Sequence, residues 1–228
     1  MHPHRGMETV TIALEGEIEH HDSLGNRGVI GPGEVQWMTA GHGIIHEEYH
    51  STNFAQTGGV LEMCQIWVNL PAKDKLTPPK YQPILKNEIP EVVLPNGAGW
   101  VKVISGNFKG TKGPASTFSP VNLWQVKLEP KVEIDLTTKD GHNTLVFCRS
   151  GSVKVAGADL MPSQIVLLST QGDGVRLRSG EEISDLMILD GQPLNEPIAA
   201  RGPFVMNTEA ELQQAIIDYR TGKMGREF

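Results

Sequence analysis

The stretch Glu8-Thr9-Val10-Thr11-Ile12-Ala13-Leu14-Glu15-Gly16-Glu17-Ile18-Glu19 recurs in weaker form as Asn143-Thr144-Leu145-Val146-Phe147-Cys148-Arg149-Ser150-Gly151-Ser152-Val153-Lys154. Each copy runs through β-branched and apolar residues to a glycine. Each is followed by a turn with proline (Pro32, Pro162) and then a second apolar segment, Val35-Gln36-Trp37-Met38-Thr39 or Ile165-Val166-Leu167-Leu168-Ser169. Self-similarity of this kind marks one supersecondary unit used twice. It predicts two β-domains of similar design.

Working outward, further apolar runs lie at Gly28 to Ile30, Leu61 to Leu70, Val92 to Leu94, Trp100 to Ile104, Leu123 to Leu128 and Leu186 to Leu189. They alternate with turn signals in a chain of 25 Gly and 15 Pro. Many short strands at this spacing predict an all-β fold of sandwich or barrel type. A segment rich in Gly, Lys, Ser and Thr, Gly106 to Ser119, places the junction. The expected divisions are a first domain over 1–108, a second over 109–192 and a tail over 193–228. The tail holds the one strong helix signal. Thr208-Glu209-Ala210-Glu211 is a capping box, Leu212, Ala215, Ile216 and Tyr219 follow at helical spacing, and Gly222 is a stop. A helix this short is marginal alone and should dock on a β-domain.

Composition narrows the classes. The chain has 228 residues, 21% charged and 39% apolar, as an ordinary globular protein does. Lys plus Arg is 20 against 27 Asp plus Glu, a formal charge of −7, and no basic run stands out. That argues against direct nucleic-acid binding, which needs clustered cations to neutralise phosphates. No segment reaches the ~18 apolar residues of a membrane span, and the start lacks a signal peptide's charged-then-apolar layout. Cys64 and Cys148 stand far apart in apolar stretches, which predicts two buried free thiols and a reducing, cytoplasmic setting.

The chemistry is concentrated near the start. Met1-His2-Pro3-His4-Arg5-Gly6 and Gly43-Ile44-Ile45-His46-Glu47-Glu48 offer three imidazoles and a carboxylate at alternate positions. Residues i and i+2 of a strand share a face, so two such strands meeting inside a barrel could hold one cation with His2, His4, His46 and Glu48. Imidazole plus carboxylate suits a divalent ion such as Fe(II), Mn, Co, Ni or Zn, and leaves coordination positions open for substrate or dioxygen. Glu48 could instead accept a phenolic proton from a bound substrate. Glu8 lies an even step from His4 and is a rival ligand. Glu47 points away from Glu48 in a regular strand. His42 and His50 flank the site, and His20 and His21 beside the Asp22-Ser23-Leu24-Gly25-Asn26 turn are expected to be solvated. Trp37 and Met38 are candidate neighbours or core. His142, the second domain's one histidine, cannot define a metal site there.

His2-Pro3-His4-Arg5-Gly6-Met7-Glu8-Thr9-Val10-Thr11, the 22–26 turn, Pro32-Gly33-Glu34-Val35-Gln36-Trp37-Met38-Thr39-Ala40-Gly41-His42-Gly43-Ile44-Ile45-His46 and the tail Glu196-Pro197-Ile198-Ala199-Ala200-Arg201-Gly202-Pro203-Phe204-Val205-Met206-Asn207-Thr208 resemble the pirin family of the cupin superfamily. The resemblance covers nearly the whole chain. It implies two cupin barrels facing one another and one metal, usually iron, in the N-terminal barrel. Matched position by position, the family's ligands fall on His2, His4, His46 and Glu48, while Glu8 becomes a neighbouring or salt-bridge residue. Two departures stand out: the family carries strands before the His-Pro-His motif, so that either the chain is truncated ahead of Met1 or its barrel lacks those strands, and Met7 stands where an aromatic is common. The resemblance further implies an iron-dependent dioxygenase of a flavonol such as quercetin, with Glu48 taking the hydroxyl proton. Its alternative is a non-enzymatic, metal- or redox-dependent regulator that binds a protein partner; a cupin isomerase or storage protein is a third.

Overall fold

The structure, a computed structural model, describes residues 1–225. Contacts divide the chain into two units, Met1–Lys86 joined by the chain from Asn195 onward, and Asn87–Leu194. The first boundary falls earlier than the expected 108/109. The reason is pairing: the strands Glu91–Val93 and Gly99–Ser105 hydrogen-bond to each other, and the second of them to Val121–Leu128. The tail after 193 is not free-standing either, because it groups with the first unit.

The first unit contains β1 (His2–His4), β2 (Met7–Glu15), β3 (Ile18–Asp22), β4 (Arg27–Ile30), β5 (Val35–Thr39), β6 (Ile44–His50), α1 (Thr52–Thr57), β7 (Glu62–Asn69) and β8 (Lys80–Ile84). The first copy of the repeat runs as a strand to Glu15 and turns at Gly16, whose φ of 78° is disfavoured for a side chain. The strands form two four-stranded sheets, ordered β1-β6-β3-β4 and β7-β2-β5-β8. Side-chain contacts join them: Met38 packs with Ile44, Trp67 stands edge-on to His4, and Tyr81 stacks on His20.

Register decides which residues of the second sheet look toward the first. One row across it is Trp67–Thr9–Met38–Tyr81, and the next is Gln65–Thr11–Gln36. Trp37, one residue over, points to the other face and is fully buried. So of the two candidate neighbours, Met38 borders the site and Trp37 belongs to the opposite layer.

The second unit contains β9 (Glu91–Val93), β10 (Gly99–Ser105), β11 (Asn107–Phe108), β12 (Thr111–Lys112), β13 (Val121–Leu128), β14 (Glu133–Thr137), β15 (Asn143–Ser150), β16 (Val153–Val155), β17 (Ala158–Leu160), β18 (Gln164–Leu167), β19 (Gly174–Ser179) and β20 (Ser184–Gly191). A six-stranded sheet, β18-β15-β20-β13-β10-β9, packs a core of Val146, Cys148, Trp124, Leu186 and Ile188 against a four-stranded sheet, β14-β19-β16-β17. The internal repeat aligns Thr11 with Val146. The row through Val146 is Ile188–Val146–Val166, apolar where the first unit has Gln65–Thr11–Gln36.

The tail forms a hairpin, β21 (Ala199–Arg201) and β22 (Phe204–Met206), then α2 (Glu209–Arg220). The capping box at Thr208 and Glu211 is present as expected. Leu212 and Ala215 are buried with Phe204, Met206, Met224 and Ile45 of β6. Among the described residues no helix is long and apolar enough to cross a membrane. Cys148 is buried and Cys64 half-buried; both are free.

Candidate metal centre

β1 and β6 pair antiparallel with His2 opposite His46 and His4 opposite Ile44. The alternation within each strand and this register put three imidazoles on one face. One nitrogen from each of His2, His4 and His46 lies within 4.8 Å of the others. Nε2 of His2 is 2.9 Å from Nε2 of His4 and 3.0 Å from Nε2 of His46.

The proton count shows what this cluster suits. His4 Nδ1 donates to the Pro203 carbonyl at 3.3 Å, so the Nε2 of neutral His4 is a bare lone pair. His2 Nε2 carries at most one proton, which cannot serve both of its contacts. A lone pair is left facing another nitrogen at about 3 Å, an arrangement that a cation between them resolves. Burial, more than the neighbouring imidazoles, pushes the pKa of His4 down to about 4 and that of His46 to about 2. Burial also lowers that of His2, opposed by the charge of Glu48. Neutral imidazole is the ligand form. His46 Nδ1 is buried without a hydrogen-bond partner among the described residues. The donor set fits a borderline divalent metal.

Glu48 shares the face of His46 on β6 but is outside the 4.8 Å set. Its carboxylate is taken up by the facing sheet. Thr11 Oγ1 donates to Oε1 at 2.7 Å, Gln36 Nε2 to the same oxygen at 2.8 Å, and Gln65 Nε2 to Oε2 at 2.5 Å. Oε2 is therefore the oxygen with more spare acceptor capacity. Sequence inspection missed Thr11, Gln36 and Gln65, since an isolated Gln or Thr on a strand carries no ligand pattern.

His20 departs most from expectation. Its place beside a turn predicts solvent, yet it is fully buried. Its Nε2 hydrogen-bonds Asp22 at 3.0 Å and its Nδ1 accepts from Gln36 Nε2 at 3.2 Å. The turn explains this. Asp22 accepts from the backbone N–H of Leu24 and Asn26 and from the Asn26 amide, so its carboxylate folds back into the barrel and takes the imidazole with it. Burial works against charge on Asp22, but the hydrogen bonds from His20, Asn26 and Leu24 hold its pKa below the usual carboxylate value. The Tyr81 hydroxyl, 3.2 Å from Gln36 Oε1, completes a chain from Glu48 through Gln36 to His20 and Asp22.

The remaining candidates are placed simply. Glu8 does not share the face of His4, because Gly6 at φ 78° breaks the strand between them. It is buried, accepts from Thr39 Oγ1 at 2.7 Å, and burial raises its pKa. His42 and His50 are exposed, the latter stacked on Phe54. His21 and Glu47 are half-buried and stand 4.0 Å apart. In the second unit His142 is buried, with Nδ1 3.0 Å from Asp190.

β1 is held from the far end of the chain. Arg5 pairs with Phe204 in a parallel bridge, and Val205 N donates to the Arg5 carbonyl. The Arg5 side chain donates to the His42 carbonyl at 2.6 Å and to Asp218 of α2 at 2.9 Å. Lys75, buried, donates to the carbonyls of Gly6 and Val205 and to Asn69 Oδ1. The histidine strand is thus clamped on its outer side by the tail.

Residues 1–68 match the family described as Pirin, and residues 123–225 match the pirin C-terminal cupin domain. The chain is 47% identical over 225 residues to a Pseudomonas aeruginosa protein provisionally named a quercetin 2,3-dioxygenase, covering 99% of this chain and 78% of that protein. It is 37% identical over 233 residues to human pirin, covering 99% and 77%. The crystal structure of quercetin 2,3-dioxygenase from Acinetobacter baumannii matches with a TM-score of 0.94 at 48% identity, over 98% of this chain and 78% of that one.

Proposed function

The chain belongs to the pirin family, and on that premise we propose that its N-terminal barrel is an iron-dependent dioxygenase centre for a flavonol-like aromatic substrate. The observation that carries this reading is the convergence of three neutral imidazoles at 2.9 and 3.0 Å beside an open flank. His2, His4 and His46 would hold the ion. Bound Fe(II) supplies a redox-active Lewis acid suited to dioxygen chemistry; Mn, Co, Ni and Zn share the donor preference.

The chain's own residues supply orientation and proton transfer. On the β7 flank Trp67 is 50% exposed and edge-on to His4, an aromatic wall for a planar substrate. Glu48 stands two residues from His46 on the same face. Its Oε2, with a single hydrogen bond among the described residues, would be the ion's fourth protein donor and, released from it, would take the substrate's hydroxyl proton. Met38, Ile44 and Ala40 form the dry floor.

The test is quercetin turnover by iron-replete protein in air, with metal content measured on the same sample. The expected result is quercetin loss with release of carbon monoxide, abolished in His46→Ala. An iron-replete protein that leaves quercetin intact would sink the activity and leave the metal centre standing.

A further inference from the structure

We propose that Gln65 is a positioning residue for Glu48: its amide orients the carboxylate so that Oε2 serves the ion at the three histidines. This rests on the reading that His2, His4 and His46 hold a divalent ion.

The argument begins with donor economy. Gln65 Nε2 has two hydrogens, and both are engaged, one on Glu48 Oε2 at 2.5 Å and one on Thr11 Oγ1 at 3.2 Å. Thr11 in turn gives its hydroxyl proton to Glu48 Oε1 at 2.7 Å. The three groups close a ring that fixes both the place and the plane of the carboxylate. Gln36 adds a donor on Oε1, but its other amide hydrogen is tied to His20 and its oxygen accepts from Tyr81. Gln36 is therefore locked into the buried floor. Gln65, on the open β7 flank, is exposed and is the one donor to Oε2 among the described residues.

The second unit gives an independent comparison. The counterpart of the Gln65–Thr11–Gln36 row is Ile188–Val146–Val166, with the same strand pairing and no carboxylate to hold. Apolar residues are enough to pack such a row. Its polarity in the first unit therefore answers to Glu48 and not to packing.

Outer-sphere partners of metal-binding groups are typically worth about 10–100-fold in metal affinity. The experiment is a double-mutant cycle on the full chain, with Co(II) as the probe, reading its dissociation constant and visible absorption spectrum in wild type, Gln65→Leu, Glu48→Gln and the double variant. Expected are at least about tenfold weaker Co(II) binding and an altered spectrum in Gln65→Leu, with no further change when Gln65→Leu is added to Glu48→Gln. Unchanged affinity and spectrum, tighter binding, or an equal loss in both backgrounds would overturn the proposal. Gln65→Met, of similar length and without the amide donor, replaces Gln65→Leu if the latter aggregates, with the same expectations. A wild type whose Co(II) binding is untouched by His46→Ala would instead defeat the underlying reading of the histidine cluster.

Discussion

Arg5 Nη1 lies 2.9 Å from Asp218 Oδ2, a buried ion pair between residues 213 positions apart that ties the histidine strand to the C-terminal helix. Arg5 follows His4 directly, and its neighbour Pro203 supplies the carbonyl that orients His4. The helix is thus part of what holds the metal strand in register.

Asp218→Ala should therefore be costly. Removing one partner of a buried pair strands the other charge, at roughly 3 kcal/mol. The expected outcome in urea titration is a lower midpoint with an unchanged slope. Burial raises the Asp218 pKa, but hydrogen bonds from Arg5, Gln214 and Lys223 outweigh it and bring the value to about 2. A carboxylate depressed on folding adds stability above its unfolded value and loses it as pH falls through the folded one. The wild type should lose this increment between about pH 4 and pH 2. Asp218→Asn should show no such component in its acid-unfolding curve.

Lys75 makes the opposite prediction. Burial brings its pKa down to about 8. Above that pH the folded protein has released a proton that the unfolded chain still holds, so the Lys75 contribution to stability becomes more favourable as pH rises toward about 10.4. Comparing urea midpoints of wild type and Lys75→Met from pH 7 to pH 10 tests this: the upward component should be missing in the variant. At pH 7 Lys75→Met leaves the Gly6 and Val205 carbonyls unmet, and a loss of about 2–4 kcal/mol is expected.

Metal should stabilise the fold through the histidine cluster. At a free metal concentration about a hundredfold above the dissociation constant, linkage adds about 2.7 kcal/mol. Thermal unfolding of wild type should shift upward on adding Co(II) or Fe(II). His4→Ala and His46→Ala should each abolish the shift. A shift that survives both changes would place the ion elsewhere.

Trp67 is expected to act on substrate binding. An aromatic stack is worth about 0.5–1.5 kcal/mol beyond burial, so Trp67→Ala should raise the KM for a flavonol roughly three- to tenfold, with a smaller effect on kcat. Trp67→Phe should recover most of it. An unchanged KM in Trp67→Ala would remove this residue from the substrate's path.

Local periodicity explains why part of the site was legible. His2 with His4, and His46 with Glu48, are two residues apart, and strand geometry alone puts each pair on one face. Glu8 could not be resolved this way, because a single positive-φ glycine between it and His4 changes the face. His20 was misplaced because a turn next to it suggests solvent, whereas the Asp22 carboxylate that builds the turn also draws the imidazole inward.

The chain's pattern alone settled the duplicated all-β design, the capped C-terminal helix and the two histidine-bearing strands, since each depends on spacing within a few residues. Tertiary structure decided the rest. It set His2 opposite His46, turned Glu48 onto Thr11, Gln36 and Gln65, and fastened the first strand to a helix near the chain's other end. Those choices depend on register between strands and on contacts between residues far apart in sequence, for which a local period of two or 3.6 residues carries no information.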